Sequence, residues 1–267
     1  MCELLGMNAS LPTDIIVSLK ALARRGSGNS PHRDGWGIAF YKGTDIQIFR
    51  DPTAITHSAI SRLLQQHPIR SETVIAHIRQ ANVGNISLPN THPFTRELWG
   101  QHWTFAHNGQ LKEFRAAEGF YKPEGATDSE AIFCDLLNQI RDRFPERAPR
   151  ESVIPFIAQA CAGYRTQGPL NCLLSNSEWL FSYCSTKLAS VTRRRSHPTP
   201  FAHQGSAYEK LLQEKCFHTD YLHRAPTLIT LIATEPLTQH EKWQRFSPGE
   251  WKLWQCGRAI AHGFAHA

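Results

Sequence analysis

The sequence lacks the features that define several common classes of protein. It has no stretch near the roughly 18 consecutive apolar residues of a membrane-spanning helix, and its start, Met1 to Gly6, lacks the basic residues and apolar run of a secretory signal. It also has no C-x-x-C pair. These absences predict a cytoplasmic protein without a membrane partner, a disulfide framework or a cysteine-bound zinc ion. The cysteines, most of them expected to be buried reduced thiols, are Cys2, Cys134, Cys161, Cys172, Cys184, Cys216 and Cys256.

The net charge of +6 and the pI near 9.0 raise the question of an anionic partner. The densest basic cluster, Arg193-Arg194-Arg195, has no interleaved aromatic residues and no recognisable nucleic-acid-binding module around it. We therefore predict a solvated basic loop there and no nucleic-acid partner. The fourteen histidines include no H-E-x-x-H motif, so neither a metal nor another cofactor is expected.

The order of the predicted elements indicates the fold class. Apolar alternation and turn residues predict strands in the first part of the chain, amphipathic helices begin near Asp128 and Ser152, and strands return from Leu170 onward. Strands and helices segregated in this way favour an α+β layered sandwich over a strictly alternating α/β fold. With 41% hydrophobic residues, the chain can bury a large core, and residues 1–267 are predicted to form a single domain.

Local sequence signals predict the bounds of several elements. Residues 2–8 are predicted as a short strand, and Thr13 as the N-cap of the helix that follows. A hairpin is predicted around Lys42-Gly43. Residues 82–99 are predicted as a loop, and residues 193–225 as surface loops with a short helix.

Cys2 is the first candidate catalytic residue. Removal of Met1 would give this residue both a thiol and a free α-amine. Because the reference pKa of an α-amine is about 7.7 to 8.0 and that of a thiol is about 8.5, the amine can accept the thiol proton near neutral pH. Cys2 could therefore supply the nucleophile and the general base together. The alternative is an ordinary buried cysteine on a strand.

The segment His107-Asn108-Gly109 follows an apolar strand and could form an oxyanion hole. The Asn108 side-chain amide and the Gly109 backbone N–H can both direct a donor at a developing negative charge. Such a donor typically contributes about 3 to 4 kcal/mol to lowering the barrier. The alternative is a simple Asn-Gly turn.

Arg79 and Asp128 could together hold an amino-acid substrate. Arg79 lies at a predicted strand end and Asp128 at a predicted helix start. A cation can bind the α-carboxylate of such a substrate while an anion binds its α-ammonium group. The alternatives are a helix cap at Asp128 and a structural ion pair at Arg79.

These segments occur in an order that resembles a known family, the class II glutamine amidotransferases of the N-terminal nucleophile hydrolase superfamily. The resemblance is closer to the stand-alone YafJ-type branch, and it covers nearly the whole chain. The motifs that carry it are Met1-Cys2, Asp34-Gly-Trp-Gly-Ile38, His77-Ile-Arg79, Asn90-Thr-His-Pro-Phe94, His107-Asn-Gly109, Thr127-Asp-Ser-Glu130, Ala233-Thr-Glu-Pro-Leu-Thr238 and Pro248-Gly-Glu-Trp251.

The resemblance implies a four-layer αββα sandwich with Cys2 at a strand end in the central sheets. It implies that Cys2 is the nucleophile and that Asn108 and Gly109 form the oxyanion hole. The substrate-binding set that it implies is Arg79, Asn82, His92 and Asp128, with His92 in the loop that closes over the substrate. Larger family members usually have an aromatic residue and a threonine where this chain has Gln80 and Asn82.

The resemblance implies hydrolysis of the glutamine side-chain amide through a γ-glutamyl thioester, with release of glutamate and ammonia. Two alternatives stay open: an amidohydrolase acting on a larger γ-glutamyl compound, and a noncatalytic subunit that binds glutamine or supplies ammonia to another enzyme. The resemblance covers the chain from end to end, so no acceptor site or ammonia channel is expected in it. A separate acceptor enzyme and a homo-oligomer are left open as partners.

Overall fold

The architecture consists of two stacked antiparallel sheets between two layers of helices. The computed structural model describes residues 2–26, 32–81, 84–112, 114–116, 118–195 and 227–267. The predicted α+β, four-layer αββα sandwich is confirmed. Asn82, and residues 196–225 of the segment predicted as surface loops, lie outside the described residues.

Within the described residues, the first sheet has seven strands, and it contains the strand that follows Cys2. In space their order is β11-β9-β10-β1-β4-β2-β3, and every neighbouring pair is antiparallel. β1 is central, between β10 and β4, so the start of β1 lies beside the end of β4. The strands are β1 (Glu3–Thr13), β2 (Trp36–Lys42), β3 (Asp45–Asp51), β4 (Ser71–Ile78), β9 (Ala189–Arg195), β10 (Thr227–Ala233) and β11 (Gln244–Arg245).

The second sheet has six strands in the part of the chain that the structure describes, and it contains the strand that ends at Asn108 and Gly109. Its order is β13-β12-β8-β7-β6-β5, again with antiparallel neighbours throughout. The strands are β5 (Phe94–Leu98), β6 (Gln101–Gly109), β7 (Leu170–Ser175), β8 (Leu180–Tyr183), β12 (Glu250–Gln255) and β13 (Arg258–Phe264).

Three apolar layers hold the sandwich together. Buried residues of α1 and α2 pack against the outer face of the first sheet, and those of α3 and α4 pack against the outer face of the second sheet. A smaller cluster that includes Leu4, Leu173 and Trp254 fills the space between the sheets. The helices are α1 (Ile16–Arg24), α2 (Ala59–Gln66), α3 (Asp128–Arg143) and α4 (Arg150–Tyr164), with short 3₁₀ turns at Leu88–Asn90 and Arg165–Gln167.

Several predicted bounds are wrong, and strand pairing explains why. β1 continues to Thr13, which pairs with Ser71 of β4 beyond an irregularity in the register, so Thr13 ends a strand and is not a helix cap. The predicted loop 82–99 contains β5, which pairs with β6. Arg193–Arg195 are not in a loop, because they form the end of β9 and pair with β10. Arg193 also forms an ion pair with Glu241, at 2.6 Å.

The structure agrees with the expectation that most of the cysteines are buried reduced thiols. Cys134, Cys161, Cys172 and Cys184 are free and buried, and Cys256 is disulfide-bonded. Within the described ranges, no cluster of three or more side chains of the kinds that bind metals occurs. None of the helices in this part of the chain is long and apolar enough to cross a membrane.

Candidate active site

Cys2 lies just before β1, against the end of β4. Its Sγ accepts a hydrogen bond from the backbone N–H of Gln80, at 3.3 Å, and lies 3.4 Å from the Gln80 carbonyl oxygen. Burial raises the pKa of the Cys2 thiol, while the Gln80 N–H and the Arg79 charge act in the opposite direction. The thiol therefore stays protonated near neutral pH and needs a base before it can act as a nucleophile.

Asn108 joins the two sheets at the nucleophile. Its Nδ2 donates to the carbonyl oxygen of Cys2, and also to Thr234 Oγ1 at 3.1 Å. Since a backbone carbonyl can only accept, this contact fixes which end of the amide is the nitrogen. Asn108 Oδ1 is buried and has no hydrogen-bond partner among the described residues.

Gly109 ends β6 in a position with no room for a side chain. A Cβ atom added there would lie 1.8 Å from the carbonyl oxygen of Pro169 and 2.6 Å from His107 Nε2. β6 pairs with β7 up to this residue, where Gly109 is opposite Leu170. The absence of a side chain thus lets the backbone of residue 109 approach Pro169 and the cavity beside Cys2.

Arg79 follows β4 and is buried, with 3% of its surface exposed. Its Nη1 donates to the carbonyl of Asn85 at 3.0 Å, and its Nη2 donates to that of Gly84 at 3.1 Å. Burial lowers the pKa of Arg79, although Cys2 and Asp34 act in the opposite direction. The guanidinium is thus a fixed, poorly hydrated cation next to the cavity, which suits it to binding a carboxylate.

Asp128 is the first residue of α3, and the N-cap of that helix is Thr127, whose side chain accepts from the Glu130 N–H. Asp128 Oδ2 accepts from the Leu111 N–H at 2.7 Å. This bond connects the helix start to the loop after Gly109 and fixes the carboxylate at the cavity wall. The alternative prediction of Asp128 as a helix cap is therefore wrong.

Three buried histidines line or support the cavity. The rings of His77 and His92 pack against each other with their centroids 4.0 Å apart and their planes tilted by 33°. Burial lowers the pKa of His77 to about 3 and that of His92 well below its usual value. His107 Nε2 lies 3.1 Å from the Pro169 carbonyl, and its Nδ1 lies 2.9 Å from Ser129 Oγ. Burial lowers the pKa of His107 as well, so all three rings are neutral near pH 7.

The candidate residues border one cavity of about 360 Å³. It brings together the thiol of Cys2, the guanidinium of Arg79, the carboxylate of Asp128 and the backbone of Gly109, with His92 on its wall. Asn108 lies behind Cys2 and is fully buried. Further lining comes from Gln80, His107, Gln110, Lys112, Thr127, Ser129 and Pro169.

Two contributors to the site were not identified from the sequence. His77 and Thr234 both lie in motifs that carried the resemblance, but their roles depend on contacts with distant residues. The ring of His77 packs against the ring of His92, and Thr234 Oγ1 accepts a hydrogen bond from Asn108 Nδ2. The motifs could have indicated that these residues matter, but not what they contact.

Comparison with known proteins shows the family to which the chain belongs. The model of the family described as glutamine amidotransferases class-II matches residues 1–266. YafJ of Escherichia coli K12 is 46% identical over 265 residues, which cover 97% of this chain and 100% of YafJ. A protein of Haemophilus influenzae is 38% identical over 262 residues, covering 98% of this chain and 86% of that protein.

Solved structures show the same fold. A crystal structure of a predicted glutamine amidotransferase from Pseudomonas aeruginosa PA01 has 44% identity and a TM-score of 0.72, covering 97% of this chain and all of that one. The phosphoribosylpyrophosphate amidotransferase of Bacillus subtilis has 12% identity and a TM-score of 0.62, and this chain matches 49% of its length. The second likeness concerns the fold alone.

The family model and the full-length match to YafJ together define the class to which this enzyme belongs. This chain belongs to the class II glutamine amidotransferase family. Within that family it is similar to stand-alone proteins of the YafJ type, since it matches YafJ over the full length of that protein.

Proposed function

We propose that the protein hydrolyses the side-chain amide of glutamine through a covalent intermediate on Cys2. The observation that carries this proposal is the convergence of a thiol, a cation and an anion on one cavity. In this arrangement Arg79 binds the α-carboxylate of glutamine and Asp128 binds its α-ammonium group. The side-chain amide then points toward the Cys2 thiol. Asn82 and His92 are proposed to complete the substrate-binding set.

The proposed reaction passes through a tetrahedral oxyanion and a thioester on Cys2. After Met1 is removed, the α-amine of Cys2 takes the thiol proton, and Sγ attacks the amide carbon to form a tetrahedral oxyanion. Asn108 Nδ2 and the Gly109 N–H stabilise this oxyanion. The C–N bond then breaks, and the leaving nitrogen takes the proton from the α-ammonium group, giving ammonia and a thioester. Water adds to the thioester, the C–S bond breaks, and glutamate leaves as the thiol is restored.

The test compares two cysteine variants in an assay for glutamate and ammonia. Cys2→Ala is expected to reduce turnover by at least about 10³-fold, because no other residue replaces the nucleophile. Cys134→Ala removes a buried thiol from α3 and is expected to leave turnover unchanged. Circular dichroism and the melting temperature check that both variants fold. Full activity in Cys2→Ala would contradict the proposal.

A larger γ-glutamyl compound is the second candidate substrate. The cavity wall extends past the groups assigned to the glutamyl head, to Gln110, Lys112 and Pro169. The same assay with γ-glutamyl dipeptides separates the two candidates, since a higher kcat/KM for a dipeptide would favour the larger substrate.

Tight binding of glutamine without turnover would instead favour a noncatalytic subunit. Ammonia would leave to solution or to a separate acceptor enzyme.

A further inference from the structure

We propose that Thr234 is a positioning residue that holds the Asn108 amide in its productive orientation, an inference that rests on the proposed function. Thr234 follows β10 and is fully buried. Its Oγ1 accepts from the Leu4 N–H at 2.9 Å and from Asn108 Nδ2 at 3.1 Å. One hydroxyl therefore joins the start of the nucleophile strand to the end of β6 in the other sheet.

The position of the Thr234 hydroxyl is fixed by the backbone. The Thr234 N–H donates to the Leu4 carbonyl at 3.3 Å, and the preceding residue, Ala233, pairs with Leu5 in the β1–β10 ladder. The two bonds between Leu4 and Thr234 thus fix the position of Oγ1 beside the start of β1. Replacing the Thr234 side chain does not remove the hydrogen bond between the Thr234 N–H and the Leu4 carbonyl.

The orientation of the Asn108 side-chain amide is held by the hydrogen bonds that its Nδ2 donates. Nδ2 carries two hydrogens, and it faces two acceptors, Thr234 Oγ1 and the Cys2 carbonyl oxygen. Oδ1, on the other side, is buried without a partner in the described part of the chain. Thr234 therefore opposes rotation of the amide, which would turn Oδ1 toward the reacting carbon and repel the oxyanion. In the proposed reaction, one hydrogen stays on Thr234, and the other, which bonds to the Cys2 carbonyl oxygen in this structure, turns to the oxyanion.

The experiment removes the hydroxyl while keeping the size of the side chain. Thr234→Val is expected to lower kcat by about tenfold or more, because a misdirected oxyanion donor loses much of its effect. KM for glutamine is expected to stay within about twofold, because Arg79 and Asp128 hold the glutamyl head. Thr234→Ser restores the hydroxyl and is expected to recover most of kcat.

A matched control lies on the same strand. Thr230 is also fully buried, and its hydroxyl bonds to Thr192 Oγ1 and to the Gly257 carbonyl, at 2.8 and 2.9 Å. Thr230→Val is expected to lower the melting temperature without lowering kcat. In an Asn108→Ala background, adding Thr234→Val is expected to produce no further loss of kcat, because the group that it positions is absent.

Three outcomes would overturn the proposal. The first is a kcat for Thr234→Val equal to that for Thr230→Val, and the second is a full further loss in the Asn108→Ala background. The third is a failure of Thr234→Ser to recover kcat, a comparison that holds even if Thr234→Val does not fold.

If the wild type turns over no glutamyl substrate and takes no label on Cys2, the proposed function fails as well. An active wild type with an unaffected Thr234→Val variant overturns the positioning role alone.

Discussion

The burial of the Cys2 thiol disfavours its reactive thiolate form. Burial raises its pKa, so the neighbouring Arg79 charge and the Gln80 N–H do not by themselves produce a thiolate. In the proposed mechanism the base is the α-amine of the same residue, since a free α-amine titrates near pH 8. This α-amine is free only after Met1 is removed, so we propose that removal of Met1 determines whether Cys2 can react.

His77 predicts how stability depends on pH. It is fully buried on β4, its ring nitrogens have no partner in the part of the chain that the structure describes, and burial lowers its pKa to about 3. The unfolded chain binds a proton near pH 6.5, whereas the folded chain does not. The stability from this residue is therefore present above pH 6.5 and is lost as the pH falls toward 3, by about 1.4 kcal/mol per pH unit at most.

His77→Phe is expected to reduce this pH dependence. Between pH 7 and pH 5 the free energy of unfolding, measured with urea, should fall by about 2 kcal/mol less in the variant than in the wild type. His102→Phe, at an exposed position on β6, serves as the control and should keep the wild-type dependence. An identical pH dependence in all three proteins would contradict this account of His77.

At the level of elements, the end of β6 is the part of the fold that the site depends on most. Gly109→Ala places a Cβ atom 1.8 Å from the Pro169 carbonyl, so β6 and the loop before β7 must separate. We expect turnover to fall by about 10²-fold or more, since both proposed oxyanion donors, Asn108 and Gly109, lie at this strand end. The melting temperature should fall as well.

Gly163→Ala provides the control for the glycine substitution. Gly163 lies in α4 with no heavy atom within 4 Å of an added Cβ. Because alanine favours helix by up to about 1 kcal/mol relative to glycine, the melting temperature should stay equal or rise. Turnover should not change. Equal turnover in the Gly109→Ala variant would show that the close approach of Gly109 to Pro169 is unimportant for the site.

The sequence predicted those elements whose local pattern is strong. The hairpin of β2 and β3 and helix α3 are confirmed, because turn residues and a helical apolar period are local properties. β9 and β13 were not predicted. β9 ends in three arginines and exists because β10 and β11 pair with both of its edges, and a single stretch of sequence does not contain that information.

At the level of the whole molecule, the site depends on contacts between distant parts of the chain. The sequence identified Cys2 and Asn108 as candidates, and the structure shows them bonded across 106 positions of sequence. The sequence did not indicate a role for Thr234. That role depends on contacts with Leu4 and Asn108, which the packing of the two sheets creates. Resemblance identifies residues, whereas the fold determines what they touch.

The inter-sheet core predicts cooperative unfolding. Leu4 and Ile232 of the first sheet pack with Leu173 and Trp254 of the second in one buried cluster. We therefore propose that residues 1–267 fold as one domain. Tryptophan fluorescence and far-UV circular dichroism should give one coincident urea transition. Two separate transitions would contradict a single domain.

The most direct test of the central claim is mass spectrometry of the purified protein, intact and after peptide mapping, before and after treatment with the diazoketone analogue of glutamine. The account predicts a chain that lacks Met1 and carries one adduct, located on Cys2, with none on Cys134. Excess glutamine should slow formation of the adduct. A chain that retains Met1, or an adduct on a cysteine other than Cys2, would contradict the claim that processed Cys2 is the nucleophile of a glutamyl-binding site.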